Sequence, residues 1–340
     1  MDIKKSSDLK KPKVLITGAS GHLGMNICTQ LWNQNLFYIK AGLRSTNTRI
    51  SKISHETCCF DVRNYDDFYN AAKDVDYIIH LAASFDHSDS NKDSTIETSK
   101  LGSENLIKIA KLINFKKIIY TSSVAVCGVN KSSQKMLEST NNITDIDLED
   151  PYIKAKVISH NLIDRAMRQH NLPILILMPS AIIGHNDFKL TPSNSLISKL
   201  MNFPFNRFYI NVGFNIISIN DVVNAHCIGL TNSAVSEKYI LSGYNVTIKD
   251  LVSLINISKK SNHRLFLLPK NIILFASIIL LPFVKLLRIH LPISFFQINN
   301  RLNTFGFFDN TKFLSKWKLS LTSLDATISE TISWIERRKK

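Results

Sequence analysis

The sequence predicts an α/β protein built on a doubly wound parallel sheet, with a smaller α/β subdomain in its C-terminal half. Three observations support this prediction. Short β-rich segments alternate with segments of helical length over about the first 180 residues, the first β-rich segment ends in a glycine-rich turn, and the alternation fails in the second half. Continuous apolar strands separated by helices are typical of a parallel sheet that is covered on both faces.

Six segments have the composition and length of strands in such a sheet. They are VLITG (14–18), YIKAGL (38–43), the run that ends at Phe60, DYIIHLAA (76–83), KIIYTSS (117–123) and PILILMPS (173–180). Because segments of helical length lie between them, we assign residues 12–183 to one α/β domain with parallel strands.

The second half of the chain, 184–340, is assigned mainly to a smaller subdomain that forms the substrate pocket. Its pattern predicts a loop region at 184–212, a strand at 215–219, a helix at 220–231, a strand at 238–242, a helix after Asn245 and a last helix near 321–337. We expect the strand 215–219 and the helix 220–231 to return to the core of the first domain.

The formal net charge of +15 raises the question of a nucleic acid or membrane partner, because summed charge acts on such surfaces at long range. The clusters of basic residues lie near the two ends, at Lys4, Lys5, Lys10, Lys11 and Lys13 and at Arg337 to Lys340. Short basic termini are typical of solvated tails, so we predict no nucleic acid partner. An apolar share of 44% is ample for a folded core.

The cysteines and the N-terminus indicate a reducing compartment. The five cysteines, Cys28, Cys58, Cys59, Cys127 and Cys227, form no CxxC pair, and most lie in apolar patterns, as small buried hydrophobes do. The start MDIKKSSDLKKPK has no apolar stretch before the first strand, which argues against a secretory signal. We therefore expect a cytoplasmic protein, and we predict no metal site.

One segment, Asn271 to Val284 (NIILFASIILLPFV), is apolar throughout and is flanked by Lys270 and Lys285. Fourteen residues of helix rise about 21 Å, against a hydrocarbon core of about 30 Å, and Pro282 interrupts the segment. A membrane span is therefore not predicted. Three interpretations stay open: a buried helix, a lid over an apolar substrate, and a peripheral membrane contact.

The turn TGASGHLG (17–24) follows the strand VLIT and opens a helical pattern, which is the context that a dinucleotide-binding Rossmann turn requires. Gly18 permits the tight turn, Gly21 lets the backbone approach a pyrophosphate, and Gly24 allows close packing of helix on strand. The His22 side chain is interpreted as a helix-start residue. The cofactor-binding residues predicted here are Gly18, Ser20, Gly21, His22, Leu23 and Gly24.

The second strand ends in AGLRS (41–45), without the acidic residue that an NAD site uses to accept from the ribose 2′-hydroxyl. Arg44, with Arg49, is instead placed to bind a 2′-phosphate, so we predict NADP in preference to NAD. The alternative is that Arg44 caps a surface turn. Asp61 and Val62 follow the third strand and are expected to bracket the adenine ring.

Tyr152 and Lys156 stand four residues apart in PYIKAKVISH (151–160), which begins a helix at Pro151. A nearby ammonium lowers the pKa of a tyrosine, which is about 10 in the free side chain, and this favours proton exchange with an alcohol or a carbonyl. The same spacing is also common on helix surfaces.

Ser123 strengthens the catalytic interpretation of Tyr152 and Lys156. It ends the fifth strand, at the carboxyl edge where open α/β sheets bind ligands. There it can hydrogen-bond a substrate oxygen while Tyr152 transfers a proton and a nicotinamide exchanges a hydride. The alternative is a strand-end serine that is satisfied by backbone.

These motifs occur in one order, with DV (61–62), HLAA (80–83), TSSVAVCG (121–128), YIKAK (152–156) and PSAIIG (179–184) after the glycine turn. In that order they resemble the extended short-chain dehydrogenase/reductase superfamily, that is, the NAD-dependent epimerase/dehydratase family. The stretches GHNDFKLTPSNS (184–195), VGFNIISINDVVNAH (212–226) and FFDNTKFLSKW (307–317) are most similar to its dihydroflavonol 4-reductase-like branch.

The resemblance implies a catalytic triad of Ser123, Tyr152 and Lys156, with Lys156 also holding the nicotinamide ribose. It implies that other strand ends line the cofactor, at Leu81, Ala82, Ala83, Thr121, Pro179 and Ser180. This chain departs from the family at Ser99, where an Asn is common, and at Ala155, where Ser or Thr is common. Homodimers are usual in the superfamily, and a homodimer stays open here.

The predicted activity is the interconversion of a small-molecule carbonyl and a secondary alcohol, and three alternatives stay open. A nucleotide-sugar epimerase or dehydratase keeps its NAD bound, but sugar dehydratases tend to carry Asp and Glu where this chain has Ser122 and Ser123. A 3β-hydroxysteroid or isoprenoid-lipid dehydrogenase would touch a membrane through 271–284. A non-catalytic dinucleotide-binding protein would usually have a broken triad.

Overall fold

The computed structural model describes residues 11–83, 92–202, 205–232, 236–261, 263–269, 271–272 and 302–339. Lys4, Lys5 and Lys10 lie outside the described residues, as does the apolar segment 271–284 beyond Ile272. Within the described ranges, no helix is long and apolar enough to cross a bilayer. The same ranges contain no group of three His, Cys, Asp or Glu side chains that could hold a metal ion.

Seven parallel strands form the main sheet in the order β10-β6-β5-β4-β1-β2-β3. Their bounds are β1 Lys13–Thr17, β2 Tyr38–Leu43, β3 Glu56–Cys59, β4 Tyr77–His80, β5 Lys117–Thr121, β6 Ile174–Pro179 and β10 Glu237–Leu241. The predicted doubly wound parallel sheet is confirmed. The chain reverses its direction of travel across the sheet between β1 and β4, and open α/β sheets bind ligands in the crevice beyond such a point.

The described helices pack on both faces of the main sheet and on a smaller sheet beside it. They are α1 His22–Gln34, α2 Thr48–Ser51, α3 Tyr65–Ala72, α4 Lys92–Leu112, α5 Pro151–Gln169, α6 Pro192–Leu200, α7 Ile219–Thr231, α8 Ile248–Ser258, α9 Thr311–Trp317 and α10 Leu324–Lys339. Side chains alternate along β1, so that Val14 and Ile16 join the core under α1 and α7, while Leu15 joins the core under α3, α4 and α5. This two-sided burial explains why the strands are apolar throughout.

A four-stranded sheet stands beside the main one, with β9 paired to β7, β11 and β13. The bounds are β7 Ala181–Ile183, β9 Gly213–Ser218, β11 Tyr244–Thr247 and β13 Phe305–Gly306. A third core lies between this sheet and helices α6, α8 and α10. A separate two-stranded sheet pairs β8 Phe208–Tyr209 with β12 Phe266–Leu267.

The structure corrects two expectations in this half. The strand expected at 215–219 to return to the core of the first domain is β9. It pairs within the smaller sheet because β7 and β11 take its edges, while its Ile217 side chain joins the core under α1 and α7. The helix expected at 220–231 is α7, which does return, and it buries Val222 and Val223 in the core under α1. The loop region expected at 184–212 contains α6, which begins at Pro192.

The cysteines divide into two groups. Cys28, Cys127 and Cys227 are buried free thiols, as expected. Cys58 is half-buried and Cys59 is exposed, because β3 is the edge strand of the main sheet and its alternate residues point to solvent.

Candidate active site

The glycine turn after β1 is built so tightly that side chains do not fit. Gly18 has a φ of 71°, and a Cβ there would lie 3.0 Å from the Ala82 nitrogen. A Cβ on Gly24 would lie 2.4 Å from the Gly18 carbonyl oxygen and 2.8 Å from Cα of Ala19. The turn therefore brings the residues after β4 directly beside the start of α1.

The N-terminus of α1 is open to an anion. Gly21 is its N-cap, no side chain caps it, and the first turn holds no acidic residue. Helix N–H groups without partners favour a negatively charged ligand such as a pyrophosphate. The glycine cradle and this helix end together fit a dinucleotide.

The three other residues predicted at this turn, Ser20, His22 and Leu23, are half-buried. The His22 ring forms a hydrogen bond within the protein, since Nε2 lies 2.8 Å from the His185 carbonyl oxygen. Burial is the largest influence on this ring, and it lowers the pKa of His22 below its usual value. At neutral pH a neutral Nε2–H therefore donates to His185.

Arg44 is exposed directly after β2, and its charge contributes to lowering the pKa of Asp61. The hydrogen bonds from Arg63 are the largest cause of that lowering, with Nη2 2.7 Å and Nε 3.0 Å from Oδ2 of Asp61. Asp61 is therefore ion-paired beside the predicted adenine position, and Val62 next to it is buried. The Arg49 guanidinium lies 4.0 Å from the centre of the Phe188 ring, so Arg49 stacks on an aromatic side chain.

The segment after β4 is attached to β1 through one hydroxyl. The backbone N–H groups of Leu81 and Ala82 both donate to Oγ1 of Thr17 at 3.2 Å. That oxygen therefore donates its own proton to Nδ1 of His80, 3.1 Å away. Leu81, Ala82 and Ala83 are half-buried at the crevice between β1 and β4.

Helix α5 positions the predicted catalytic pair. Its N-cap Asp150 accepts from the backbone N–H groups of Tyr152 and Ile153 at 2.9 and 3.2 Å, and Pro151 begins the helix as its spacing predicted. The Tyr152 phenol lies beside the Ser123 hydroxyl, which lowers the pKa of the phenol. Ser123 in turn caps the short helical turn Val124–Cys127 by accepting from the Ala125 N–H at 3.1 Å.

Lys156 is buried one turn further along α5. Its Nζ donates to the Thr121 carbonyl at 3.2 Å, which fixes the ammonium against the carboxyl end of β5. Burial lowers the pKa of Lys156 to about 8. The structure thus brings Thr121, Ser123, Tyr152 and Lys156 together at one strand end.

The expected effect of Lys156 on Tyr152 is corrected by the structure. Burial raises the pKa of Tyr152 to about 12, and the Ser123 hydroxyl lowers it only in part. Asp150 adds to the increase, because a nearby negative charge disfavours tyrosinate. Desolvation therefore outweighs the ammonium, whose own contact is with the Thr121 carbonyl.

The end of β6 places the last two predicted residues. Pro179 closes the strand, and the Ser180 backbone N–H donates to the Leu241 carbonyl at 3.0 Å. The Ser180 hydroxyl is buried and has no hydrogen-bond partner among the described residues. A buried hydroxyl without a partner fits a site that is completed by a polar ligand.

Comparison with known proteins assigns the chain to a family. The profile of the NAD dependent epimerase/dehydratase family matches residues 14–240, which is more than half of the chain. The chain belongs to this family. The family resemblance predicted from the motifs is thereby confirmed, and so is the prediction of an enzyme fold of the short-chain dehydrogenase type.

Individual members show how far the similarity extends. The "Putative dihydroflavonol 4-reductase" of Synechocystis sp. (strain ATCC 27184 / PCC 6803 / Kazusa) is 25% identical over 244 residues, covering 70% of this chain and 70% of that protein. The "Sterol demethylase protein B" of Methylococcus capsulatus (strain ATCC 33009 / NCIMB 11132 / Bath) is 24% identical over 244 residues, covering 70% and 72%. The crystal structure of gox2253 superposes with a TM-score of 0.81 at 22% identity, covering 96% of this chain and 98% of that one, which supports the fold.

Two buried histidines at the carboxyl end of β5 are not predicted from the sequence. Nε2 of His226 lies 2.8 Å from Oγ1 of Thr121, and Nδ1 of His160 lies 2.9 Å from Oγ of Ser122. A signal existed for His160, because it follows Lys156 by four residues and so shares its helix face. Nothing local could indicate His226, which is separated from Thr121 by 105 residues.

Proposed function

We propose that this protein is an NADP-dependent oxidoreductase that interconverts a small-molecule carbonyl and a secondary alcohol. One observation carries the proposal: the Ser123 hydroxyl lies beside the Tyr152 phenol, where it lowers the pKa of Tyr152, and the Lys156 ammonium lies one helical turn away on the carboxyl end of β5. Membership of the NAD dependent epimerase/dehydratase family supports the nicotinamide cofactor.

The proposed roles follow from the protonation states. With a pKa of about 12, Tyr152 keeps its proton at neutral pH, which is the state that a general acid needs to protonate a carbonyl oxygen. Ser123 donates a hydrogen bond to the same oxygen and polarises the carbonyl. The reduced nicotinamide supplies the hydride to the carbonyl carbon when bound. Reduction is therefore the direction that these residues favour.

The main role of Lys156 is to position the cofactor. Its pKa of about 8 leaves it mostly protonated at neutral pH, so it stays a donor. One of its protons goes to the Thr121 carbonyl, and the others are available to hold the nicotinamide ribose, as the family resemblance implies.

We assign the cofactor to the crevice between β1 and β4, with NADP in preference to NAD. Arg44 is exposed at the end of β2, and the nearby carboxylate of Asp61 is already bonded to Arg63. This leaves a cation for a 2′-phosphate and no free acid for a 2′-hydroxyl. The proposed cofactor-binding residues are Gly18, Ser20, Gly21, His22, Leu23, Gly24, Arg44, Asp61, Val62, Leu81, Ala82, Ala83, Thr121, Tyr152, Lys156, Pro179 and Ser180.

Cofactor-paired screening tests the activity. We expect the wild-type protein to oxidise NADPH in step with reduction of at least one member of a panel of aldehydes, ketones and lipid carbonyls. Tyr152→Phe should lower kcat/KM by about 10²- to 10⁴-fold and leave the Kd for NADPH nearly unchanged, because the phenol acts on the substrate oxygen. Tyr65→Phe is the matched control, since Tyr65 lies on α3 against Tyr69.

Two outcomes would contradict the proposal. NADPH binding without turnover of any carbonyl would favour a non-catalytic dinucleotide-binding protein. Interconversion of nucleotide sugars with NAD that stays bound throughout would favour an epimerase or dehydratase.

Three further assignments stay predictions that accompany this function. They are the division of the chain at 183 and 184, a cytoplasmic location, and a homodimer. The location is supported by the five free thiols. Size-exclusion chromatography with light scattering measures the oligomeric state.

A further inference from the structure

A small group of apolar side chains is exposed on and beside the two-stranded sheet of β8 and β12. Phe266 is 46% exposed and Leu267 is 50% exposed, both on β12. Phe205 just before β8 is 51% exposed, and Ile272 just after β12 is 57% exposed. We refer to Phe205, Phe266, Leu267 and Ile272 as the β8–β12 patch. Phe266 and Leu267 are consecutive on β12, so they lie on opposite faces of the two-stranded sheet, and apolar side chains are exposed on both faces. Neighbouring exposed apolar residues mark interaction sites more often than single ones do.

Two residues of the patch, Phe266 and Leu267, lie on a paired strand. The Phe266 N–H donates to the Arg207 carbonyl and the Leu268 N–H donates to the Tyr209 carbonyl, both at 2.9 Å. The Phe208 and Phe266 rings have centres 5.9 Å apart across the two strands. The side chains of Phe266 and Leu267 are therefore exposed although their strand is hydrogen-bonded to β8.

Among the residues that the structure describes, three exposed cations border the patch. Arg207 precedes Phe208, the Arg264 guanidinium is 5.7 Å from the centre of the Phe266 ring, and Lys249 Nζ is 5.9 Å from the centre of the Tyr209 ring. None of the three has a carboxylate within 4.0 Å in the part of the chain that the structure describes.

The one acidic residue beside Lys249 is used locally. The Asp250 carboxylate accepts from the Thr247 hydroxyl at 2.7 Å and from the Thr247 N–H at 3.0 Å, as the capping box of α8. Asp250 keeps its charge, so the three cations and this one carboxylate leave the described border of the patch with a net positive charge.

The sequence that follows Ile272 is also apolar and is also followed by basic residues. The chain leaves the described structure at Ile272 and returns at Leu302, and the intervening sequence runs through the apolar stretch to Val284 and then carries Lys285 and Arg288. Aromatic and aliphatic side chains bordered by Lys and Arg are the composition that binds at the interface of an anionic bilayer.

We propose that the β8–β12 patch is a peripheral docking surface for an anionic phospholipid bilayer. The apolar side chains enter the boundary between head groups and acyl chains, and Arg207, Arg264 and Lys249 meet the phosphates. A second copy of the chain fits less well, because a two-fold contact through this patch would bring like cations together. The inference does not depend on the proposed reductase activity, since its readout is binding to lipid.

Vesicle flotation of the full-length protein tests the proposal. We expect binding to vesicles of phosphatidylcholine with phosphatidylserine, much weaker binding to phosphatidylcholine alone, and a loss of affinity as salt is raised. Arg207→Gln with Arg264→Gln should weaken binding by about fivefold for each cation removed. Phe266→Ser with Leu267→Ser should weaken it at least about tenfold.

Matched controls lie on α4, away from the patch in the fold. Leu112→Ser removes an apolar side chain that is 68% exposed, and Lys108→Gln removes an exposed cation, and both should bind as the wild type does. Unchanged Tm and NADPH affinity in each variant show that it is folded. The proposal is overturned if the wild type does not bind anionic vesicles or if the patch variants bind as well as it does. If the patch variants bind as well as the wild type, the lipid-binding residues lie elsewhere in the chain.

A second measurement remains decisive even if the serine variants fold poorly. Leu267→Trp places an indole in the patch, and brominated phosphatidylcholine mixed with phosphatidylserine should quench its fluorescence on binding. Leu112→Trp is the control and should show no added quenching. Equal quenching in the two variants, or a change in oligomeric state through the patch without lipid, would also overturn the proposal.

Discussion

The Thr121 hydroxyl donates a hydrogen bond to Nε2 of the buried His226, over 2.8 Å. The direction is fixed because Nδ1 of the same ring is 2.7 Å from the Val222 carbonyl, which can only accept. His226 is thus a neutral ring that ties α7 to the end of β5. The backbone carbonyl of Thr121 accepts a hydrogen bond from Lys156. Thr121 therefore connects His226 to the proposed catalytic lysine.

Stability should fall as the pH drops below neutral. Burial lowers the pKa of His80 to about 3 and the pKa of both His160 and His226 to about 4, from 6.5. Between those values and 6.5 the unfolded chain binds more protons than the native protein, so acid favours unfolding. Each ring should contribute a loss of about 2 kcal/mol in the free energy of unfolding between about pH 7.5 and about pH 5.

Urea unfolding across this range measures the effect. His226→Gln should reduce the slope of stability against pH, whereas His170→Gln should leave it unchanged because His170 is exposed. A free energy of unfolding that does not change between the two pH values would contradict the assignment of neutral buried rings.

Removal of the His226 ring should also disturb the end of β5. His226→Leu leaves the Thr121 hydroxyl and the Val222 carbonyl without their partner, at a cost of about 1–3 kcal/mol in the free energy of unfolding. NADPH affinity should fall as well, because the Thr121 carbonyl that holds Lys156 is free to move. His170→Leu is the control. Full NADPH affinity in a destabilised His226→Leu protein would restrict His226 to a structural role.

The glycine turn should tolerate no side chain at Gly24. Its Cβ would lie 2.4 Å from the Gly18 carbonyl oxygen, so in Gly24→Ala the backbone must move. We expect a loss of about 1–3 kcal/mol in the free energy of unfolding and weaker NADPH binding. Gly306→Ala is the control, because its Cβ would meet its nearest neighbour at 3.8 Å. Equal stability of the two variants would show that the turn is looser than the structure indicates.

The affinity of the free protein for NADPH should depend on the charge of Lys156. Its pKa of about 8 means that the ammonium is lost as the pH rises through that value. The Kd for NADPH should then increase by about threefold to tenfold, as expected when a charged donor becomes neutral. Lys156→Arg should keep its charge and remove this step, while Lys154→Arg should retain it. Titration by fluorescence at several pH values distinguishes the two.

The sequence predicts best where one local pattern decides the structure. Strand β2 was expected at 38–43 and is found there, since a buried parallel strand is apolar along its whole length. The strand at β9 was recognised, but its sheet was not, because pairing with β7 and β11 depends on chain segments far away. Helix α6 is not predicted, because its nine residues begin at Pro192 within a polar, loop-like stretch.

The site shows the same division between local and distant information. The cap at Asp150 and the positions of Tyr152 and Lys156 follow from adjacent residues, so their helix could be predicted. The pKa of Tyr152 could not, because it depends on how deeply the fold buries the phenol. Likewise, Arg49 was expected to face the cofactor, and its contact with Phe188 arises from a loop after β7.

Arg44 should decide the choice between the two nicotinamide cofactors. Arg44→Ala removes the exposed cation at the end of β2, so the Kd for NADPH should rise by about tenfold or more, which is the value of one charge-assisted hydrogen-bonded contact. The Kd for NADH should change little, because NADH has no 2′-phosphate. Arg49→Ala is the matched control, since the Arg49 guanidinium is stacked on Phe188. If the wild type binds both cofactors equally, or if Arg44→Ala weakens both to the same extent, then Arg44 does not read the 2′-phosphate and the preference for NADP is wrong.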